Sequence, residues 1–80
     1  MRIGEAVRRR IAELCDQQDL TINKLSNISG VTQSTVNNII SGRNHSATIS
    51  TIKKLCDGFG ITIQEFFASD LFADLEQEVK

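Results

Sequence analysis

The sequence predicts an all-α domain of five short helices, and three observations support this fold class. Apolar residues recur at three- and four-residue spacing along most of the chain, which is the period of a helix with one buried face. Proline is absent, and the five glycines suit short joints between helices. Four of the apolar segments are preceded by a threonine, which is a favoured helix N-cap. These threonines are Thr21, Thr32, Thr48 and Thr62.

Length and composition are those of one small globular domain. The 80 residues are 40% hydrophobic and 24% charged, and a chain of this size buries about 60% of the surface that it exposes when unfolded. No apolar run approaches the roughly 18 residues of a membrane span. The first residues, MRIGE, contain no apolar signal core. We therefore expect a cytoplasmic protein with no membrane segment.

The first helix is predicted to run from about Gly4 or Glu5 to Gln17 or Gln18 and carries three consecutive arginines, Arg8 to Arg10. These arginines form either a nucleic-acid patch or a solvated face with the ion pairs Glu5–Arg9 and Arg9–Glu13. We favour the ion pairs, because opposite charges four residues apart stabilise an exposed helix by about 0.2–0.5 kcal/mol each. The buried face of this helix is expected to contain Ile3, Val7, Ile11, Leu14 and Cys15.

Residues 21–42, TINKLSNISGVTQSTVNNIISG, are the segment around which the rest of the chain is expected to be arranged. Two short amphipathic helices, 21–28 and 33–40, are separated by a turn at Ser29-Gly30-Val31. Glycine tolerates a positive φ, so Gly30 can end the first of these helices and redirect the chain. The inner side of the pair is expected to contain Leu25, Ile28, Val36, Ile39 and Ile40.

A fourth helix is predicted over residues 48–57, followed by a short fifth one. Gly58 and Gly60 are interpreted as the stop of the fourth helix. Thr62-Ile63-Gln64-Glu65 has the spacing of a capping box, in which the threonine and glutamate side chains bond to each other's backbone N–H. The core is expected to be completed by Ile49, Ile52, Leu55, Cys56, Phe59, Ile61, Ile63, Phe66 and Phe67.

Residues 69–80 are predicted to be an acidic extension to a domain that occupies residues 1–68. Leu71, Phe72, Leu75 and Val79 have helical spacing, and the extension either packs on its own domain, pairs with a second subunit or frays. Residues 1–60 carry eight basic and five acidic groups, a net charge of +3, whereas residues 61–80 carry one basic and five acidic groups, a net charge of −4. A polyanionic partner would therefore approach the part of the molecule that residues 1–60 form.

Neither a catalytic nor a metal site is expected. Cys15 and Cys56 each lie in an apolar helical pattern, so we interpret them as small buried hydrophobes and not as a disulfide or redox pair. His45 lies in a polar loop without ligand-like spacing to the cysteines. No nucleophile and base fall together on facing elements, so we predict neither an enzyme nor a cofactor.

The outer face of helix 33–40 has an unusual composition, because its side chains are short, uncharged and rich in donors and acceptors. They are Gln33, Ser34, Asn37 and Asn38. Glutamine and asparagine amides donate and accept at once, which matches the major-groove edge of adenine, and serine serves either base type. The absence of arginine and lysine argues against strong guanine contacts from this helix. The alternative is a merely solvated face.

The apolar and glycine positions resemble a known family. Leu25, Gly30, Val31, Val36, Ile39 and Gly42, followed by TISTIKKLCDGFGITIQEFF, resemble the Cro/CI-type (XRE-family) helix-turn-helix domain of phage and bacterial regulators. The resemblance covers about residues 5–68. It implies a compact five-helix lambda-repressor-like DNA-binding domain, in which helix 33–40 enters the major groove of double-stranded DNA.

The resemblance also implies which residues contact DNA. Bases would be contacted by Gln33, Ser34, Asn37 and Asn38, with adenine at the main positions. Phosphates would be contacted by Asn23, Lys24, Thr32, Arg43, Asn44 and Ser46, with His45 as a further candidate.

Two features depart from the family pattern. Ile22 stands where the family usually has a glutamine that braces the DNA backbone, which leaves backbone N–H groups and Asn23 to approach the phosphate. Cys15 and Ile40 stand where many members pair an arginine with a glutamate. We expect a packed contact instead, an exchange that is often neutral or stabilising when both partners change.

The leading hypothesis is therefore a sequence-specific transcriptional regulator, a repressor in preference to an activator. A homodimer on a near-palindromic site is implied by the resemblance, and its expected surface contains Phe66, Phe67, Leu71, Phe72 and Leu75. The alternative is a protein-interaction or antitoxin-like accessory module on the same scaffold. The sparse positive charge and Ile22 favour that alternative.

Overall fold

Five α-helices and one 3-10 helix follow one another in residues 1–42 and 47–79, the part of the chain that the computed structural model describes. They are α1 (Ile3–Gln17), α2 (Ile22–Ser29), α3 (Gln33–Ile40), α4 (Ile49–Phe59), α5 (Ile63–Phe66) and the 3-10 helix Asp70–Phe72. The predicted all-α class is confirmed, and the bounds of α3 are those predicted. None of these helices has the length and apolar composition that a membrane span requires.

Threonine caps begin four of the five α-helices, as the sequence predicts. The hydroxyls of Thr21, Thr32 and Thr48 accept hydrogen bonds from the backbone N–H three residues on. In the capping box of α5, Glu65 N–H donates to Thr62 Oγ1 at 3.0 Å and Thr62 N–H donates to Glu65 Oε1 at 2.9 Å. The hydrogen bond from Thr62 N–H lowers the pKa of the Glu65 carboxyl, so this cap stays charged at neutral pH.

One hydrophobic core is shared by all five α-helices. Helix α2 packs on both α4 and α3, α1 packs on α3, and α5 packs on α4. The largest fully buried side chains are Phe66, Ile11, Leu25, Leu55, Val36 and Cys56. Ile61, Ile63 and Phe67, which lie in α5 or within two residues of it in sequence, pack against this core as predicted.

Three isoleucines that the periodicity assigns to the core are exposed instead. Ile3 is 40% exposed, Ile28 is 46% exposed and Ile49 is 70% exposed. Ile3 and Ile49 are the first residues of α1 and α4, and Ile28 lies in the last turn of α2. A helical period identifies the buried side of a helix but not how far the neighbouring helix extends along it.

Gly58 lies within α4 and does not stop that helix, contrary to the prediction. A Cβ atom at Gly58 would lie 2.9 Å from Ser29 Cβ and 3.1 Å from Ser29 Cα, so only glycine permits α4 to approach the end of α2 this closely. The helix ends two residues later at Gly60, whose φ of 75° is left-handed.

Replacing Gly58 by alanine should lower the free energy of unfolding by about 1–2 kcal/mol, because the new methyl group separates α4 from α2. This is a net value, in which an overpacking cost of about 2–3 kcal/mol is reduced by the gain of roughly 0.8–1 kcal/mol in helix propensity. Urea unfolding measures the effect, with the exposed Lys54→Ala in the same helix as the control. A Gly58→Ala protein as stable as the control would mean that the two helices separate at little cost.

Cys15 and Ile40 are both half-buried and pack against the core where α1 meets α3. Cys56 is fully buried, and both cysteines are unpaired thiols. Burial raises the pKa of both thiols above the ordinary cysteine value, so they are protonated at neutral pH. The positions that carry an ion pair in many family members are therefore apolar and uncharged here, and their direct contact stays a prediction.

Introducing arginine at Cys15 alone should lower the free energy of unfolding by about 1 kcal/mol, because the guanidinium enters a partly buried position without a partner. The double variant with Ile40→Glu should be more stable than the sum of the single losses predicts. Thermal unfolding of the four proteins of this cycle measures the coupling. Strictly additive losses would show that the two positions do not interact.

The acidic extension packs on its own domain, one of the three alternatives that the sequence leaves open. Over residues 69–79 it contains the 3-10 helix and no other regular structure, so its helical spacing does not produce an α-helix there. The Phe72 ring packs 4.8 Å from the Phe67 ring and 6.1 Å from the Phe66 ring, measured between centroids. The extension thereby adds an aromatic contact to the end of the core.

Candidate nucleic-acid interface

The turn between α2 and α3 is held by both glycine and serine. Gly30 has a φ of 75°, and its N–H donates to the Ser26 carbonyl at 3.0 Å. Ser26 Oγ donates to the Val31 carbonyl at 2.5 Å, and Val31 N–H donates to Ser29 Oγ at 3.3 Å. The predicted role of Gly30 is confirmed, whereas the two serine contacts were not foreseen, because serine is common in loops of every kind.

The outer face of α3 presents its polar side chains to solvent. Gln33, Ser34 and Asn37 are exposed and Asn38 is half-buried. Positions three and four residues apart lie on one side of a helix, so these four side chains form one surface, which we call the amide face. Among the hydrogen bonds between described residues, none uses a side-chain atom of this face. The rest of the described chain therefore makes no hydrogen bond to the side chains of the amide face.

The segment that carries the amide face, residues 21–42, contains a single charged residue. Residues 21–42 contain one lysine, Lys24, and no acidic residue. Lys24 and Asn23 are exposed near the start of α2. Thr32 is exposed at the start of α3, where its hydroxyl caps Thr35 N–H at 3.2 Å. These three predicted phosphate contacts therefore stand near the starts of the two helices.

The other phosphate candidates lie in one short segment. Arg43, Asn44 and Ser46, together with His45, fall outside the described residues. Their predicted roles rest on the sequence. Within residues 1–42 and 47–79, no cluster of three or more histidine, cysteine or acidic residues has the geometry of a metal site.

The arginine run on α1 is engaged within the domain. Arg9 pairs with Glu5 at 2.6 Å, as predicted, but Glu13 pairs with Arg10 at 2.6 Å and not with Arg9. Arg10 Nε donates to the Phe66 carbonyl at 2.8 Å, and its Nη2 donates to the Glu65 carbonyl at 2.9 Å. Arg10 thus satisfies the backbone at the end of α5, a role that sequence spacing does not reveal.

The comparison with protein families agrees with this geometry. A family model described as helix-turn-helix matches residues 11–66, which include α2, the turn, α3 and both later α-helices. The chain belongs to this helix-turn-helix family. The Cro/CI-type (XRE-family) resemblance that the sequence suggests is confirmed.

Individual relatives of this helix-turn-helix chain are regulators and a prophage protein. It is 33% identical over 76 residues to the HTH-type transcriptional regulator PuuR of Escherichia coli (strain K12), and the match covers 95% of the chain and 40% of that regulator. PuuR of Shigella flexneri gives the same values. The chain thus spans about 40% of the length of these relatives.

A solved structure has the same fold. The crystal structure of the prophage Lp1 protein 11 superposes on the chain with a TM-score of 0.79 and 39% sequence identity. The superposition covers 94% of this chain and 100% of that one.

Replacing Arg10 by glutamine should lower the free energy of unfolding by about 1–3 kcal/mol, because two backbone carbonyls lose a charged donor. Arg9→Gln removes the same charge from an exposed side chain and should change stability by less than about 0.5 kcal/mol. Chemical denaturation of both variants tests the contrast. Equal losses would show that the Arg10 contacts add nothing beyond helix charge.

Proposed function

We propose that this chain binds double-stranded DNA as a sequence-specific transcriptional regulator, with α3 in the major groove, and that it represses. The amide face carries this proposal. A helix surface of four uncharged polar side chains, three of them exposed and none hydrogen-bonded through its side chain to another described residue, has the composition of a base-contacting surface. Repression requires only that the bound protein occupies a promoter. A DNA partner also implies a cytoplasmic protein.

Gln33, Ser34, Asn37 and Asn38 are proposed to contact base edges. Asn37 and Gln33 are four residues apart, so their amides reach neighbouring positions along the groove. Each amide can donate to and accept from adenine, which predicts adenine at the main contacted positions. The half-buried Asn38 has less freedom than the other three, so its contribution should be the smallest.

Phosphate contacts are proposed to position the domain. Thr32 is exposed at the start of α3, and Asn23 and Lys24 are exposed near the start of α2. Backbone N–H groups at helix starts bind phosphate oxygens readily. Arg43, Asn44 and Ser46 are proposed from their positions in the sequence.

A homodimer is part of the proposal, but part of its expected surface is already used inside the chain. Phe66 is fully buried, and Phe67 and Phe72 pack on each other. Leu71 and Leu75 are half-buried at the outside of this cluster. A second subunit would therefore meet mainly these two leucines.

A protein-interaction module is the second candidate function. Ile22 packs against the core at the start of α2, so no long polar side chain stands at this position to brace a DNA backbone. Lys24 is the one charged residue within residues 21–42. These two observations favour a partner other than a polyanion.

In vitro selection from random duplexes should return half-sites with adenine at the contacted positions. Asn37→Ala should cost about 1–3 kcal/mol of binding free energy and abolish the preference at one position. Asn27→Ala, an exposed asparagine on α2 outside the amide face, is the matched control. Selected sites rich in guanine would contradict the assignment of the amide face. The mass of the protein in solution, measured alongside, tests the dimer.

The salt dependence of duplex binding separates the two candidate functions. Lys24→Gln, and equally Arg43→Ala, should weaken binding to all sequences and reduce the slope of log K against log salt concentration by about 1. Arg9→Gln removes the same charge from α1 and should leave the slope unchanged. A reduced slope for Arg9→Gln would indicate that the arginines of α1 contact DNA. No binding even at low salt would favour the protein-interaction module.

A further inference from the structure

The start of α1 lacks the side-chain cap that the other four α-helices have. Arg2 stands at the N-cap position and makes no capping hydrogen bond, whereas threonines cap α2, α3, α4 and α5. The first N–H groups of a helix have no partner within the helix, and the positive end of its dipole lies there. Glu5 is the acidic residue in the first turn of α1.

Acidic residues of the extension approach this uncapped end. The α-amino group of Met1 lies 3.4 Å from a Glu76 carboxylate oxygen, and Arg2 Nη2 lies 3.1 Å from Glu78 Oε1. Glu76 N–H also donates to the Met1 carbonyl at 3.0 Å. Two ion pairs and one backbone hydrogen bond therefore join the two ends of the described chain.

The extension is held at both of its ends. Ser69 Oγ accepts a hydrogen bond from Leu71 N–H at 3.2 Å, and Phe72 completes the aromatic cluster with Phe66 and Phe67. The residues between Phe72 and Glu76 contain no helix. The extension thus forms a short bridge from the core to the start of α1.

We propose that residues 69–79 are an acidic strap that holds the start of α1, where a side-chain cap is absent. Phe72 anchors the strap, and Glu76 and Glu78 bring two negative charges to the positive end of the helix through the cations of Met1 and Arg2. The strap makes the first turn of α1 depend on residues more than 70 positions away in sequence. It also fixes these carboxylates about 22 Å, the length of α1, from the helix end that leads into α2.

Amide hydrogen exchange tests the strap. The variant E76Q/E78Q removes both charges with little change of shape, so amides in the first turns of α1, at Ala6 and Val7, should exchange about fivefold faster at low salt. Amides in α3, at Val36 and Ile39, should keep their rates, because the core is intact. In 1 M NaCl the wild-type rates at Ala6 and Val7 should approach those of the variant.

The control is D74N, which removes one negative charge from the same extension without touching either ion pair. Asp74 is exposed and forms no ion pair within the described residues, so its replacement should leave the rates at Ala6 and Val7 unchanged. Equal acceleration in D74N would assign the effect to net charge and overturn the strap. Unchanged rates in E76Q/E78Q, or equal acceleration in α3, would overturn it as well.

Discussion

The close approach of α4 to the end of α2, at Gly58 and Ser29, determines where the turn and α3 lie. Ser29 is the last residue of α2, and its hydroxyl accepts the Val31 N–H on the other side of Gly30. A helix that moved away from Ser29 would therefore carry the turn with it. The position of the amide face therefore depends on a contact that involves no large side chain and that requires the absence of a Cβ atom at Gly58.

Most of the charged basic side chains among the described residues pair with carboxylates of the same domain. Arg9 and Arg10 pair with Glu5 and Glu13, Lys53 pairs with Asp57, and Arg2 pairs with Glu78. Of the described lysines, Lys24 and Lys54 have no carboxylate of another described residue within 4 Å. The pairs within residues 1–60 are already counted in the net charge of +3 of that segment, so of these pairs only Arg2–Glu78 further lowers the positive field that a distant polyanion would meet.

Local features of the fold were predictable from the sequence, and contacts between distant residues were not. The threonine caps and the bounds of α3 depend on neighbours within four residues, so the sequence pattern contains them. From the sequence, Gly58 is predicted to stop α4. Glycine is needed at this position because Ser29 lies close to it in the folded chain, and the sequence does not show that contact. Arg10 reads as a surface charge for the same reason, since the carbonyls that it satisfies are more than 50 residues away.

The candidate site shows the same division. Residue type and helical spacing suffice to place Gln33, Ser34 and Asn37 on one exposed face, and the structure agrees. Their partners lie outside the chain, so the base contacts stay a prediction. The helical spacing of the extension produces no α-helix within residues 69–79, where Glu76 and Glu78 instead pair with Met1 and Arg2. A segment this short has only a weak tendency to form an isolated helix.

A neutral amide face has a consequence for how such a protein would search a genome. A DNA-binding protein with few cations displaces few counterions, so its hold on arbitrary sequences is weak and its dwell time there is short. Most of the lifetime on a correct site would then come from oriented hydrogen bonds, which form only where the sequence matches. A regulator of this kind would dissociate quickly from non-specific sites, and its long dwell time on the specific site would depend on correctly oriented hydrogen bonds.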